Sequence, residues 1–244
     1  MMNGRGSFLG SIPTVTKNLL IINVLMLIAT SVFRTKGIDL NEWIGLHYWE
    51  GSKFNVAQLI TYMFLHDGFT HLFFNMFSLF MFGGLLERVF GSKRFLFYYI
   101  SCGIGAAIVQ ELVWWLTWEG QFALVDAQGF VALRGAEAVA YGVQHGMMDS
   151  FFNSMITIGA SGAVFGILLA FGMVFPNMPL YLMFIPIPIK AKWMVLGYGA
   201  IELFFGISGF QASVAHFAHL GGMIFGFLLL LYWKKKGVIG GGLY

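Results

Sequence analysis

Charge is scarce in this chain. Only 10% of its 244 residues are Asp, Glu, Lys or Arg, where a soluble domain carries about a quarter, and that shortage excludes an ordinary water-soluble globule. Cysteine is scarcer still: Cys102 stands alone, so neither a disulfide framework nor a cysteine metal site can be built within one chain, and the redox compartment stays unread. No HExxH motif, internal repeat or low-complexity linker occurs. The net charge of +3 is not gathered into a basic face with interleaved aromatics, so nucleic acid is not an expected partner.

What remains is apolar: 58% of the residues are hydrophobic and the mean hydropathy is +0.78, values of an integral membrane protein. Crossing the hydrocarbon core takes about 20 mostly apolar residues. Six stretches approach that length: Asn18 to Phe33, Thr70 to Leu86, Phe95 to Trp118, Ser154 to Phe175, Ala191 to Ser208 and Ala212 to Trp233. The expected fold is therefore an all-α membrane protein, a bundle of six transmembrane helices spanning residues 18–233. A cytoplasmic N-terminal segment of residues 1–17 and a cytoplasmic tail of residues 234–244 flank it. The first apolar run lacks a clear small-residue cleavage site and reads as a retained helix.

Lysine and arginine orient the bundle. With both termini inside, Arg5, Lys17, Arg88, Lys93, Arg94, Lys190, Lys192, Lys234, Lys235 and Lys236 are cytoplasmic, and Arg34, Lys36, Lys53 and Arg134 are outside, the asymmetry expected of an inner membrane protein. The expected location is multi-pass in a bacterial inner (plasma) membrane. Two outer connections are long, the second an insertion of about residues 119–153 too polar to span. In "FIPIPIK", Phe184 to Lys190, two prolines break any helix, which makes it the inner connection before the fifth span.

On this topology the second, fourth and sixth helices all run inward from the outer face. His71 and Asn75 then lie about one turn deep, and Ser161 and His219 about two turns deep, at 1.5 Å rise per residue. Four polar groups thus share one shallow depth. A membrane serine commonly bonds back to a carbonyl or eases helix contact, but intramembrane histidines are expensive and usually functional. Small residues connect the two readings. Gly159, Gly162, Ala163, Gly166 and Ala170 make one smooth stripe, and Ala215, Ala218, Gly222 and Gly226 make another. Such stripes let backbones come close, so the helices carrying Ser161 and His219 are the ones best suited to touch. A serine with an imidazole in reach is the pattern of an activated nucleophile. His71 and Asn75, four apart on one helix face, offer N–H donors to an oxyanion beside the Ser161 amide.

"GASG" at 159 to 162, "AHLGG" at 218 to 222 and "HLFFN" at 71 to 75, in this order on a six-helix frame, resemble the rhomboid intramembrane serine proteases from about Ile60 to Gly226. The resemblance implies a serine endopeptidase that needs no cofactor or metal and cleaves membrane-protein substrates in or near their transmembrane segments, within the lipid bilayer. It implies Ser161 as nucleophile, His219 as general base and then acid, and His71, Asn75 and the Ser161 amide as oxyanion stabilisers. Phe165 stands where the family often packs an aromatic on the catalytic histidine, and His66 resembles a family histidine near the water entrance. Gly159 and Gly162 support the nucleophile. One departure is the first outer loop, where "AQLI" replaces the Trp-Arg pair of some members. Another is the insertion, whose His145 and Asp149 read as a solvated pair.

Three other assignments compete. His216 and His219 with His71 could hold a metal, as in a metal transporter or a metalloprotease, although no HExxH or cysteine assists. Glu202, an acid expected mid-bilayer on the fifth helix, could orient a histidine, but reads rather as a structural hydrogen bond or a part of helix movement. A non-catalytic, client-binding scaffold is the third, from relatives that lost the serine or histidine, both present here.

Overall fold

The structure, a computed structural model, describes residues 8–125, 131–182, 185–208 and 215–238. Among them six long helices form the bundle: α1 (Thr14–Arg34), α2 (Gly68–Phe90), α3 (Ser92–Gln121), α6 (Ser161–Val174), α7 (Ala191–Ser208) and α8 (His216–Lys235). The protein is an integral, multi-pass membrane protein. Four of these helices, α1, α2, α3 and α8, are each long and apolar enough to cross a bilayer. Two shorter helices, α4 (Gly135–Gln144) and α5 (Met148–Ser154), belong to the insertion after α3.

Three two-stranded ladders interrupt the helical frame. β1 (Leu46–His47) pairs antiparallel with β4 (Ile156–Thr157), β2 (Ala123–Val125) with β3 (Val131–Arg134), and β5 (Pro179–Leu182) with β6 (Ile185–Lys190). The last is the connection read from its prolines: Pro188 sits in β6 opposite Tyr181, since proline tolerates a two-stranded edge but not a helix interior. Phe184 lies outside the described residues.

The fourth span starts seven residues later than its hydropathy suggests, at Ser161 and not Ser154. Residues 156 and 157 are drawn into the ladder with the first outer loop, and Gly159, at φ +127°, takes a conformation that no helix contains. The sixth helix begins at His216. Its expected start at Ala212 falls outside the described residues. Helix α2 stays continuous through a π-helical turn at Leu79–Gly83.

The core lies where α8 packs between α3 and α6. Tyr98, Tyr99, Phe95, Ile167 and Phe171 are fully buried there. A buried tyrosine usually finds a partner for its hydroxyl, and two such bonds cross the bundle: Tyr98 donates to the Gly166 carbonyl at 2.9 Å and Tyr62 to the Gly103 carbonyl at 2.8 Å. Helix α7 is peripheral, with only Ala191 and Val195 among its buried side chains.

Outside the bundle, polar side chains order the loops. Gln58, in the "AQLI" stretch, is buried; its amide donates to the Trp43 and Lys53 carbonyls and accepts from the His47 and Asn55 N–H groups. Asp149 accepts from the Ser52 N–H and hydroxyl, each at 2.8 Å, fastening the insertion to the first loop. These bonds, the backbone one foremost, hold its carboxyl below the usual carboxylate range. Asp149 therefore does not pair with His145, whose Nδ1 donates to the Tyr141 carbonyl and whose ring stacks on Tyr141.

At the opposite end, Glu87 of α2 closes the start of α1. It accepts from the Val15 N–H, the Thr16 N–H and hydroxyl, and the Ser92 hydroxyl, at 2.9, 2.7, 2.8 and 2.6 Å. The first N–H groups of any helix have no partner within it, and here a carboxylate from a neighbouring helix supplies one. Glu87→Gln should lower stability by about 1–3 kcal/mol, read as a fall in apparent Tm in detergent, with Glu87→Asp intermediate.

Candidate active site

Ser161 is the first residue of α6, not two turns along it. The free N–H groups and positive dipole end of α6 therefore lie at the serine itself, a ready setting for developing negative charge. His219 is the fourth residue of α8. Its Nε2 is 2.7 Å from Ser161 Oγ, and its ring stacks on Phe165 with centroids 4.3 Å apart and planes 6° from parallel. Both groups sit one turn or less from the N-terminal ends of their helices.

The backbones make this approach possible. A Cβ on Gly222 would lie 1.9 Å from the Gly162 carbonyl oxygen, and one on Gly166 would lie 3.0 Å from the Gly222 oxygen. So α6 and α8 touch main chain to main chain directly below the serine. The expected stripes meet only in part: Gly226 faces α3, where an added Cβ would strike the Tyr98 hydroxyl at 2.3 Å.

His71 comes from the fourth position of α2. Its Nδ1 accepts from the Asp67 N–H at 3.3 Å, which leaves the ring proton on Nε2. That nitrogen is directed at Gly159, where a Cβ would lie 2.8 Å from it and 3.7 Å from Ser161 Oγ. Glycine at 159 thus serves twice, by its positive φ and by leaving room for the imidazole. Asn75 is buried one turn deeper and donates one amide N–H to the His71 carbonyl at 3.0 Å, keeping a second N–H. His66 is buried with its ring edge-on to His71, centroids 5.0 Å apart.

Glu202 holds a position the sequence did not convey. The twelfth residue of α7, it lies against the start of α8. His216 Nδ1 donates to Glu202 Oε2 at 2.7 Å. His219 Nδ1 is 2.9 Å from the same oxygen, but off the line of its N–H, a close polar contact and not a directed hydrogen bond. His216 thus turns from the serine to α7, while His219 faces it. The signal in the sequence was that Glu202 is the one acid in α7, which had to meet a polar partner. The competing grouping of His71 with both other histidines around a metal does not form; among the described residues the histidine and carboxylate donors that converge are Glu202, His216 and His219.

A polytopic helical membrane protein with a serine–imidazole pair just beneath one end defines a class. The Rhomboid domain profile matches residues 53–236, and the chain belongs to the rhomboid family, known as intramembrane serine proteases. Rhomboid protease AarA of Providencia stuartii is 30% identical over 176 residues, 68% of this chain and 52% of that protein. RHOMBOID-like protein 5 of Arabidopsis thaliana is 29% identical over 174 residues, 70% and 42% of the two chains. Rhomboid protease GluP of Bacillus subtilis is 43% identical over a shorter 51 residues, 21% and 10%. The chain spans about half or less of the length of these relatives.

The glycine contact gives a structural test. Gly222→Ala places a methyl against the Gly162 carbonyl and should cost about 1–3 kcal/mol, read as a lowered apparent Tm. Gly226→Ala, facing a tyrosine hydroxyl that must also move, should be destabilising as well.

Proposed function

We propose that this protein is a serine endopeptidase of the bilayer, hydrolysing a peptide bond in or near the transmembrane segment of another membrane protein. The observation that carries the reading is the 2.7 Å contact between His219 Nε2 and Ser161 Oγ, a distance at which imidazole takes a hydroxyl proton. Ser161 attacks the scissile carbonyl as His219 accepts its proton. The negative charge that grows on the carbonyl oxygen is met by the Ser161 N–H at the start of α6, by His71 Nε2–H and by the second N–H of Asn75. His219 then returns the proton to the leaving amine, and water repeats the sequence on the acyl-enzyme. Phe165 fixes the plane of the imidazole, and Gly159 and Gly162 hold the serine in place. His66, beside His71, lies toward the water entrance.

The depth of the site suits a substrate that is partly unwound, since helical hydrogen bonds hide the carbonyl that must react. Helix α7, with few buried side chains, is the side on which a substrate helix enters. The site reads as one membrane domain, residues 18–233, carrying the outer insertion, and the cations at the ends of α2 and α8 and the start of α3 favour cytoplasmic termini in a bacterial inner membrane.

A fluorophosphonate probe tests the reading. It should label the wild type at Ser161 and leave Ser161→Ala unlabelled, and Ser161→Ala and His219→Ala should abolish cleavage of a model single-pass substrate while folding normally. Undiminished cleavage by Ser161→Ala refutes the assignment. Asn75→Ala should lower turnover by about 10- to 1000-fold with little change in KM. A client-binding scaffold would bind the substrate but never react with the probe.

A further inference from the structure

Around the outer end of α8, three donors converge on the side of His219 that faces away from the serine. His216 Nδ1 and His219 Nδ1 approach one oxygen of Glu202 at 2.7 and 2.9 Å, and the three donor atoms all lie within 4.8 Å of one another. They are withdrawn from solvent: His216 is 5% exposed and His219 7%, and the Glu202 side chain 13%. A carboxylate in such a place needs opposing positive charge, yet among the described residues the ion-pair contacts of Glu202 are to these two imidazoles. His219 Nδ1, buried, makes no directed hydrogen bond although it points into the cluster. One oxygen shared by two imidazole nitrogens, one of them misaligned, is poor hydrogen-bond geometry but a fair approximation to a ligand set.

We propose that Glu202, His216 and His219 form an inhibitory binding site for a divalent transition cation of the zinc class. Two imidazole nitrogens and one carboxylate oxygen are donors zinc favours, with solvent in the fourth position. Tetrahedral ligands at about 2.0–2.1 Å stand about 3.3 Å from one another, so both oxygen–nitrogen pairs need to open by only about half an ångström. The inhibition, which rests on the reading of His219 as the base, follows from proton placement. With Nδ1 carrying the proton, Nε2 offers its lone pair to the Ser161 hydroxyl. A metal on Nδ1 takes that lone pair position, the ring proton moves through solvent to Nε2, and a protonated Nε2 can only donate to Ser161 Oγ. The base is disabled while the serine, the oxyanion donors and the fold are untouched. The metal also joins α7 to α8, fastening the peripheral helix to the core.

The test uses the full chain purified in detergent, treated with zinc chloride or with a chelator, with two readouts: the rate of fluorophosphonate labelling at Ser161 and the zinc bound per chain after desalting. Saturating zinc should slow labelling at least about tenfold, and chelation should restore it. The wild type and Ser161→Ala should each retain one zinc. His216→Gln, which keeps a donor toward Glu202, should label normally without zinc but need at least about tenfold more zinc for the same inhibition. His216→Ala serves as the second variant. The proposal is overturned if zinc leaves labelling unchanged, if His216→Gln and wild type respond alike, or if the wild type retains no zinc. Loss of labelling on chelation also overturns it, because the cluster would then be a catalytic metal centre. If no probe ever reacts, the protease reading fails, while zinc retention by the wild type against His216→Gln still decides whether the cluster binds metal.

Discussion

Main chain meets main chain between α6 and α8, at the level of Gly162 and Gly222, and the remainder of the site is arranged around that contact. Helices in lipid gain little from hydrophobic attraction, since the tails are as apolar as the side chains, and close backbone packing takes its place. A single added carbon at Gly222 would overlap the Gly162 oxygen. The serine sits one residue before Gly162, and the histidine one turn before Gly222, so the helix separation fixes the Oγ to Nε2 distance. The imidazole is then held from three directions: by Phe165 on its face, by Ser161 at Nε2 and by Glu202 near Nδ1.

The order of elements was legible in the sequence because hydropathy reports length and polarity directly. Span five starts where expected, at Ala191, and the pairing of the "GASG" and "AHLGG" helices follows from the small side chains they share. The start of α6 was not legible. Residues 154–160 are apolar enough to continue a helix, and what ends it is a pairing with residues more than a hundred positions earlier, together with one glycine at positive φ. Periodicity sees neither. That shift matters chemically, because it turns Ser161 from a residue inside a helix into one at a helix N-terminus, beside unpaired N–H groups.

Glu202 was readable only in kind. An acid in an apolar helix announces a partner but does not name one, since the partner depends on how α7 leans against α8. The roles of Gln58, Asp149 and Glu87 were not legible: Asp149 reads as the solvated partner of His145, and the other two carry no mark of their own. Each organises backbone groups distant in sequence, and single-sequence patterns give a polar residue in a loop or at a helix end no special mark.

The seating of α1 has a mechanical outcome. Its buried side chains are Thr16, Leu19, Asn23 and Thr30, while Ile21, Ile22, Leu25, Ile28 and Val32 face outward. One carboxylate fastens its base, while most of its length is left to lipid, so the match between this helix and the thickness of the bilayer is set by its outward side chains and not by the paired helices that carry the serine and the imidazole.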